Sequence, residues 1–412
     1  MSPLSWHGIT FGIELEFMTP CPKTKRIFCK TAPASAARLH IAQELAKRIS
    51  LPIACACVHS EGRACAIDEE LPEEAMIDDK GIVTFPGQGP HGTMLNRCFL
   101  FKPEFLVRQH PLNVKRNWPG VEISTPVFYA GELDSGLATM KSVLSNIRNL
   151  GLEITADDSC GMHVHVGVES GMTLLLAQKI STLVVLLENT LLLRFVAPSR
   201  WANTNCLPVS ENSLGAVQGF ISNGLSVDYN SLYDDHMPPM HLLCSGEWNG
   251  YSSYRYKKLF RAIWLAGTMQ NLSGVLRKNG IHRCAFTLSL RNHETRPDHP
   301  LGRDRFEGTP STVEFRYSQM TFDHELLRNW TEVVARIVVL AQADAQTFKK
   351  TVALIMQLSN QAEMDGQPAW KQLMKYVLEL EHRVPEWELQ LYRFARGKSI
   401  SFLDEKLLLV PE

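Results

Sequence analysis

The chain has almost no charge imbalance: 42 Lys and Arg against 43 Asp and Glu leave a formal net charge of −1 over 412 residues. Gripping nucleic acid through its backbone requires a basic field, so no nucleic-acid partner is expected. The opening residues, Met1 to Gly8, lack a basic stretch followed by an apolar one. That pattern predicts no secretory leader and a cytoplasmic protein. Cysteine is thinly spread, 10 positions in a long chain, which favours free thiols over a disulfide framework. The triplets Asn271-Leu272-Ser273 and Asn329-Trp330-Thr331 then carry no glycan. Internal repeats are absent. The longest apolar segment, Met172 to Ala197, is broken by Gln178, Lys179, Glu188 and Asn189, so no membrane partner is expected. The apolar fraction of 45% and charged fraction of 21% are those of a globular protein able to build a sizeable core.

Periodicity sketches an α+β protein. Strands are predicted at Glu14/Glu16, at 98–107, at 120–129, around His163 and His165, and at 312–317. Helices are predicted over 34–49, 133–150, 172–197, 259–276 and 323–346. Residues 51–97 are Cys-rich, acidic and Gly/Pro-rich by turns, the look of an insertion or mobile loop. The expected organisation is a catalytic domain over 1–346 and a wholly helical extension over 347–412 packed on it. The oligomeric state stays open.

Three segments share one pattern, two ionisable residues separated by an apolar one: Gly12-Ile13-Glu14-Leu15-Glu16-Phe17, Cys160-Gly161-Met162-His163-Val164-His165-Val166-Gly167 and Val313-Glu314-Phe315-Arg316. Side chains at i and i+2 leave one face of a strand, so each segment aims its polar pair at one place. Glu122, in Val121-Glu122-Ile123-Ser124-Thr125-Pro126, adds a further acid. Carboxylates with a single imidazole suit Mg²⁺ or Mn²⁺ better than structural zinc. Arg316 beside Glu314 offers a fork that matches phosphate oxygens, which points to a nucleotide. Each piece alone has a plainer explanation: a Glu-x-Glu is usually the solvated face of a strand, and Glu-x-Arg an ion pair across a sheet. Their conjunction lifts the set.

In order and type, these segments resemble the amidoligase family, a branch of the carboxylate-amine ligases that includes glutamine synthetase and glutamate-cysteine ligase. The resemblance covers roughly residues 8–345. It implies a curved antiparallel sheet, a half-barrel of glutamine-synthetase-like type with helices on its outer face, holding ATP and divalent metals on the concave side. By the same resemblance Glu14, Glu16, Glu122, His163 and Glu314 match metal ligands, and His165 matches a position facing the nucleotide phosphates. Arg316 matches the arginine that steadies the transferred phosphoryl group, with Glu314 beside it in the catalytic set. Arg200 and Asn203 match substrate contacts, Arg200 also near the nucleotide. Glu104 holds a place where relatives often have Asp, and Arg255-Tyr256 resembles a family pair whose following asparagine is replaced here by Lys257-Lys258. The implied activity is ATP-dependent amide-bond formation between a small carboxylate, such as an amino acid or peptide, and an amine.

Two rivals stay open: a metal-dependent hydrolase with His163 and His165 both as ligands, and a catalytically silent binding or scaffold relative. Two motifs are set aside. Arg396-Gly397-Lys398-Ser399 resembles the end of a phosphate-binding loop, but Tyr392 stands where its first glycine is required, so a helix end or loop is expected. Cys55, Cys57, His59 and Cys65 fit no zinc spacing, and the three cysteines are expected as reduced thiols.

Overall fold

A computed structural model describes residues 5–21, 32–56, 76–77, 82–84, 97–107, 117–201, 203–219, 235–238, 253–279, 282–291, 304–360 and 368–412. The chain packs as two units. Residues 12–163, 319–328 and 398–412 make one, and residues 1–11, 164–318 and 329–397 make the other. The fold is mixed α+β, the class expected, on antiparallel-dominated sheet structure, which the resemblance implied.

The first unit takes most of strand β1 (Ile9–Met18), helix α1 (Ala32–Ala46), strands β2 (Ile53–Ala56), β3 (Met76–Ile77), β4 (Ile82–Thr84), β5 (Phe99–Glu104), β6 (Gly120–Ser124) and β7 (Phe128–Tyr129), and helices α2 (Ala130–Asp134) and α3 (Ala138–Arg148). Its strands lie in the order β3-β4-β2-β5-β6-β1, antiparallel throughout except for the β2–β5 pair. Strand β1 shows why this sequence is a strand: Ile13, Leu15 and Phe17 are buried, while Glu14 and Glu16 leave the other face. Burying each such apolar side chain contributes about 1.5–3 kcal/mol. Strand β6 repeats the pattern with Val121 and Ile123 inside.

Gly120 is required where it stands. A Cβ there would lie 2.3 Å from the Glu104 carbonyl oxygen, so only glycine lets β5 close on β6 at that end.

The other unit holds most of β8 (Met162–Val168), followed by helix α4 (Leu174–Leu187) and strands β9 (Phe286–Ser289) and β10 (Thr312–Phe315), with β10 antiparallel to both β8 and β9. Val164, Val166, Val313 and Phe315 supply its buried sheet face. Helix α4 is buried nearly all round, and several of its polar groups find hydrogen-bond partners there. The Thr173 hydroxyl accepts from Leu176 N at 3.1 Å as the N-cap, and Gln178 donates to the carbonyls of Ile263 and Ala266 at the end of helix Ser253–Leu265. The segment Leu174–Phe195 is long and apolar enough to span a membrane by composition, yet 72% of its most apolar stretch is buried inside the protein.

Several expected elements are interrupted. The helix predicted over 133–150 breaks at Leu137, whose φ of 61° is left-handed. The one over 172–197 passes into a π-helical turn, Glu188–Leu192, before a short 3-10 turn, Leu193–Phe195. The extension 347–412 is helical only to Ala395, after which Gly397, at φ 74°, stops the last helix. The phosphate-loop look-alike is therefore a helix end, and the residues beyond return to Ile154 through the Leu409 amide at 2.8 Å. Within the supposed insertion 51–97, Ile53–Ala56 is an ordinary buried strand beside β5, and most of the rest lies outside the described residues. Cys55 is a buried thiol in no disulfide, and Cys57, His59 and Cys65 lie outside the described residues.

Candidate active site

Register places the first cluster. Glu16 on β1 pairs with Glu122 on β6, which pairs with Lys102 on β5, so these three side chains stand in a row on one face. One pair along, Glu14 faces Ser124, and one pair the other way Glu104 faces Gly120. His163 closes the row: its Nδ1 lies 3.4 Å from Glu14 Oε2 and its Nε2 3.5 Å from Glu16 Oε1. The ring is only 1% exposed. Carboxylate oxygens of Glu16, Glu104 and Glu122 all fall within 4.8 Å of one another.

Concentrating carboxylates in a buried place costs free energy unless positive charge answers them. Lys102 supplies it, with Nζ at 2.5 Å from Glu122 Oε1 and 3.3 Å from Glu14 Oε1. The Ser124 hydroxyl donates to Glu122 Oε1 at 2.9 Å, and the Gly161 amide donates to Glu16 Oε2 at 2.6 Å. Burial, then the charge of Glu14, raises the Glu122 carboxyl above its usual range, against the pull of Lys102. Burial would lower the Lys102 ammonium, but Glu14 and Glu122 carry it above its ordinary value.

The second cluster belongs to the other unit. Glu314 on β10 is fully buried and meets two guanidiniums: Arg316 Nη1 bonds its Oε1, and Arg283 Nη1 lies 3.1 Å from its Oε2. The Ser289 hydroxyl donates to Glu314 Oε2 at 3.2 Å. His165 Nε2 stands 3.9 Å from Glu314 Oε1, and its Nδ1 3.2 Å from the Thr312 hydroxyl. The Arg316 amide continues the strand ladder to the Ala285 carbonyl at 2.7 Å. Within this unit Glu314 is thus held between two guanidiniums, groups whose fork also matches phosphate oxygens.

Glu14, Glu16, Glu122, His163 and Glu104 thus come together in one unit, and Glu314, Arg316 and His165 in the other. Arg200 is buried on the short turn Pro198–Arg200 and lines a cavity with helix ends. Asn203 closes a local turn, its Oδ1 accepting from Asn205 N at 2.8 Å. Arg255 sits in the first turn of helix Ser253–Leu265, and its side chain lies outside the described residues. Sequence reasoning missed Lys102 and Arg283. Lys102 had a signal, being two residues before Glu104 on one strand; Arg283 had none.

One unit thus gathers carboxylates around an imidazole, and the other holds a carboxylate between arginines. The family model described as "Putative amidoligase enzyme" matches residues 7–236, more than half of the chain, and the chain belongs to that family. The match takes in Glu14, Glu16, Glu122 and His163 but ends before Glu314 and Arg316, short of the 8–345 expected from the motifs. No curated protein matches the chain.

Proposed function

We propose that this amidoligase forms an amide bond at the expense of ATP, through an acyl phosphate, between a small carboxylate and an amine. The observation that carries the reading is the buried row Glu16, Glu122 and Lys102 with His163 and Glu14 against it. An oxygen-rich donor set with one imidazole fits Mg²⁺ or Mn²⁺, and Glu14, Glu16, Glu122 and His163, with Glu314 by resemblance, would hold such ions. When bound they would supply charge neutralisation for the ATP phosphates. The glutamine-synthetase-like half-barrel belongs to the same proposal.

In this reading the chain's own groups act by holding and orienting. The substrate carboxylate oxygen attacks the γ-phosphorus and ADP departs with its electrons. The amine nitrogen then attacks the acyl carbon, phosphate departs, and the nitrogen gives up a proton. Arg316, fixed by its bond to Glu314, and Arg283 would meet the charge on the phosphoryl group in flight, and His165 would face the phosphates. Positioning and electrostatics are the main contributions such a reaction requires.

The test is phosphate release from ATP and Mg²⁺ over a panel of amino acids and amines, with identification of the amide. Glu16→Gln is the control, because the amide oxygen still accepts from Gly161 N and keeps the local fold. A rate dependent on both substrates and lowered about 100-fold or more by Glu16→Gln is expected. No turnover over the panel, together with no nucleotide binding, would sink the reading.

A further inference from the structure

The carboxylate cluster of β1, β5 and β6 contains a cation of its own, and that cation bridges two particular oxygens. Lys102 Nζ lies 2.5 Å from Glu122 Oε1 and 3.3 Å from Glu14 Oε1. The Ser124 hydroxyl ties the same two atoms together, at 2.9 Å from Glu122 Oε1 and 3.4 Å from Glu14 Oε1. The second oxygen of Glu14 turns to His163 Nδ1 instead, at 3.4 Å. A positive centre that approaches one oxygen from each of two carboxylates stands where a bridging divalent ion would stand.

Strand geometry keeps the ammonium at that point. Lys102 is the direct register partner of Glu122, so its side chain leaves β5 on the face that carries the acids. A divalent ion entering between Glu14 and Glu122 would have to drive a like charge off both of its partners. That charge could retreat no further than its four-carbon stem allows, and the two cations would then repel at short range. The tether also holds the ammonium at a high effective concentration that does not vary with the metal supply. Glu14, Glu16, Glu104 and Glu122 against one ammonium still leave the face acidic, so divalent metal is attracted to it all the same.

We propose that Lys102 is a resident cation standing in for one divalent ion, so that this cluster binds one metal fewer than its carboxylates alone would hold. The proposal rests on the reading of the cluster as a metal floor and adds to it the residue that sets metal number. One positive charge of that floor then belongs to the protein and is present at any Mg²⁺ concentration. Lys102 is a positioning residue in this scheme, acting through Glu14 and Glu122.

The experiment titrates Mn²⁺ into the full chain without nucleotide and counts free ion by its electron paramagnetic resonance signal. Lys102→Met and Lys102→Gln both remove the charge and keep an unbranched stem, so either reports if the other fails to fold. Each should bind one Mn²⁺ more per chain than the parent, and Glu14→Gln added to either should abolish the extra ion. Lys102→Arg keeps the charge and should bind the parental number. Ser124→Ala cuts the other tie between the same two oxygens without touching the charge, and it too should bind the parental number. Equal Mn²⁺ numbers in the parent and the uncharged variants would overturn the proposal. So would a gain that Lys102→Arg or Ser124→Ala reproduces, or one that survives Glu14→Gln. The count needs no turnover: an amide-forming parent without the gain refutes the role of Lys102 alone, and the gain in a protein with no turnover refutes the ligase reading alone.

Discussion

The Lys102 ammonium lies 2.5 Å from Glu122 Oε1, at the end of a row that register alone assembles from β1, β6 and β5. It is the internal counter-charge of the carboxylate cluster. Lys102→Met removes it and leaves Glu14, Glu16 and Glu122 facing one another. The variant should melt at lower temperature than the parent without divalent metal and should gain more from added Mn²⁺. Paired thermal melts check this, and equal Mn²⁺ responses in the two proteins would refute it.

Glu188 ties three parts of one unit together. Its carboxylate accepts from the amides of Val209 and Ser210, each at 2.8 Å, and from the Tyr317 hydroxyl. Glu188→Ala strands all three donors and should cost about 3–5 kcal/mol in denaturant unfolding. Glu188→Gln retains one acceptor oxygen and should cost about 1–3 kcal/mol.

Lys179 is buried in α4, bonded to the Ala343 carbonyl, with Nζ 4.9 Å from the Phe348 ring centre. Burial lowers its pKa from 10.5 to about 8, against the pull of Asp344. Between those values the unfolded chain binds more protons than the folded one, so this residue's penalty is full below pH 8 and fades as pH rises toward 10.5. The stability of the parent relative to Lys179→Met should therefore increase from neutral pH into that window. Urea midpoints of the two proteins across it give the comparison, and a flat difference would contradict the assignment.

Gly120→Ala places a methyl group where the Glu104 carbonyl oxygen already stands, at 2.3 Å. The end of β5 must move from β6, at a cost of about 1–3 kcal/mol. Because Lys102 and Glu104 travel with it, Mn²⁺ stabilisation should fall together with thermal stability.

The motifs were legible because strand alternation is a local rule: Glu14 and Glu16, His163 and His165, and Glu314 and Arg316 each share a face wherever their strand lies. Helix breaks were less legible. The break at Leu137 had a signal in the Ser135-Gly136 pair before it, Gly136 also being left-handed, whereas the π turn after Leu187 carries no distinctive residue type and the apolar periodicity runs on through it. The helical reading of the tail failed after Gly397 for a related reason, since Ile400, Phe402 and Leu403 to Leu409 keep an apolar content that a turn-rich segment uses equally well.

By itself the sequence determined the family, the α+β class and the polar faces of β1, β8 and β10, all of which rest on residue order and short-range periodicity. Tertiary structure decided the rest. Register between distant strands put Lys102 among the carboxylates, and the return of the chain after β9 put Arg283 on Glu314. Each depends on contacts between residues far apart in the chain, where neither spacing nor composition carries a signal.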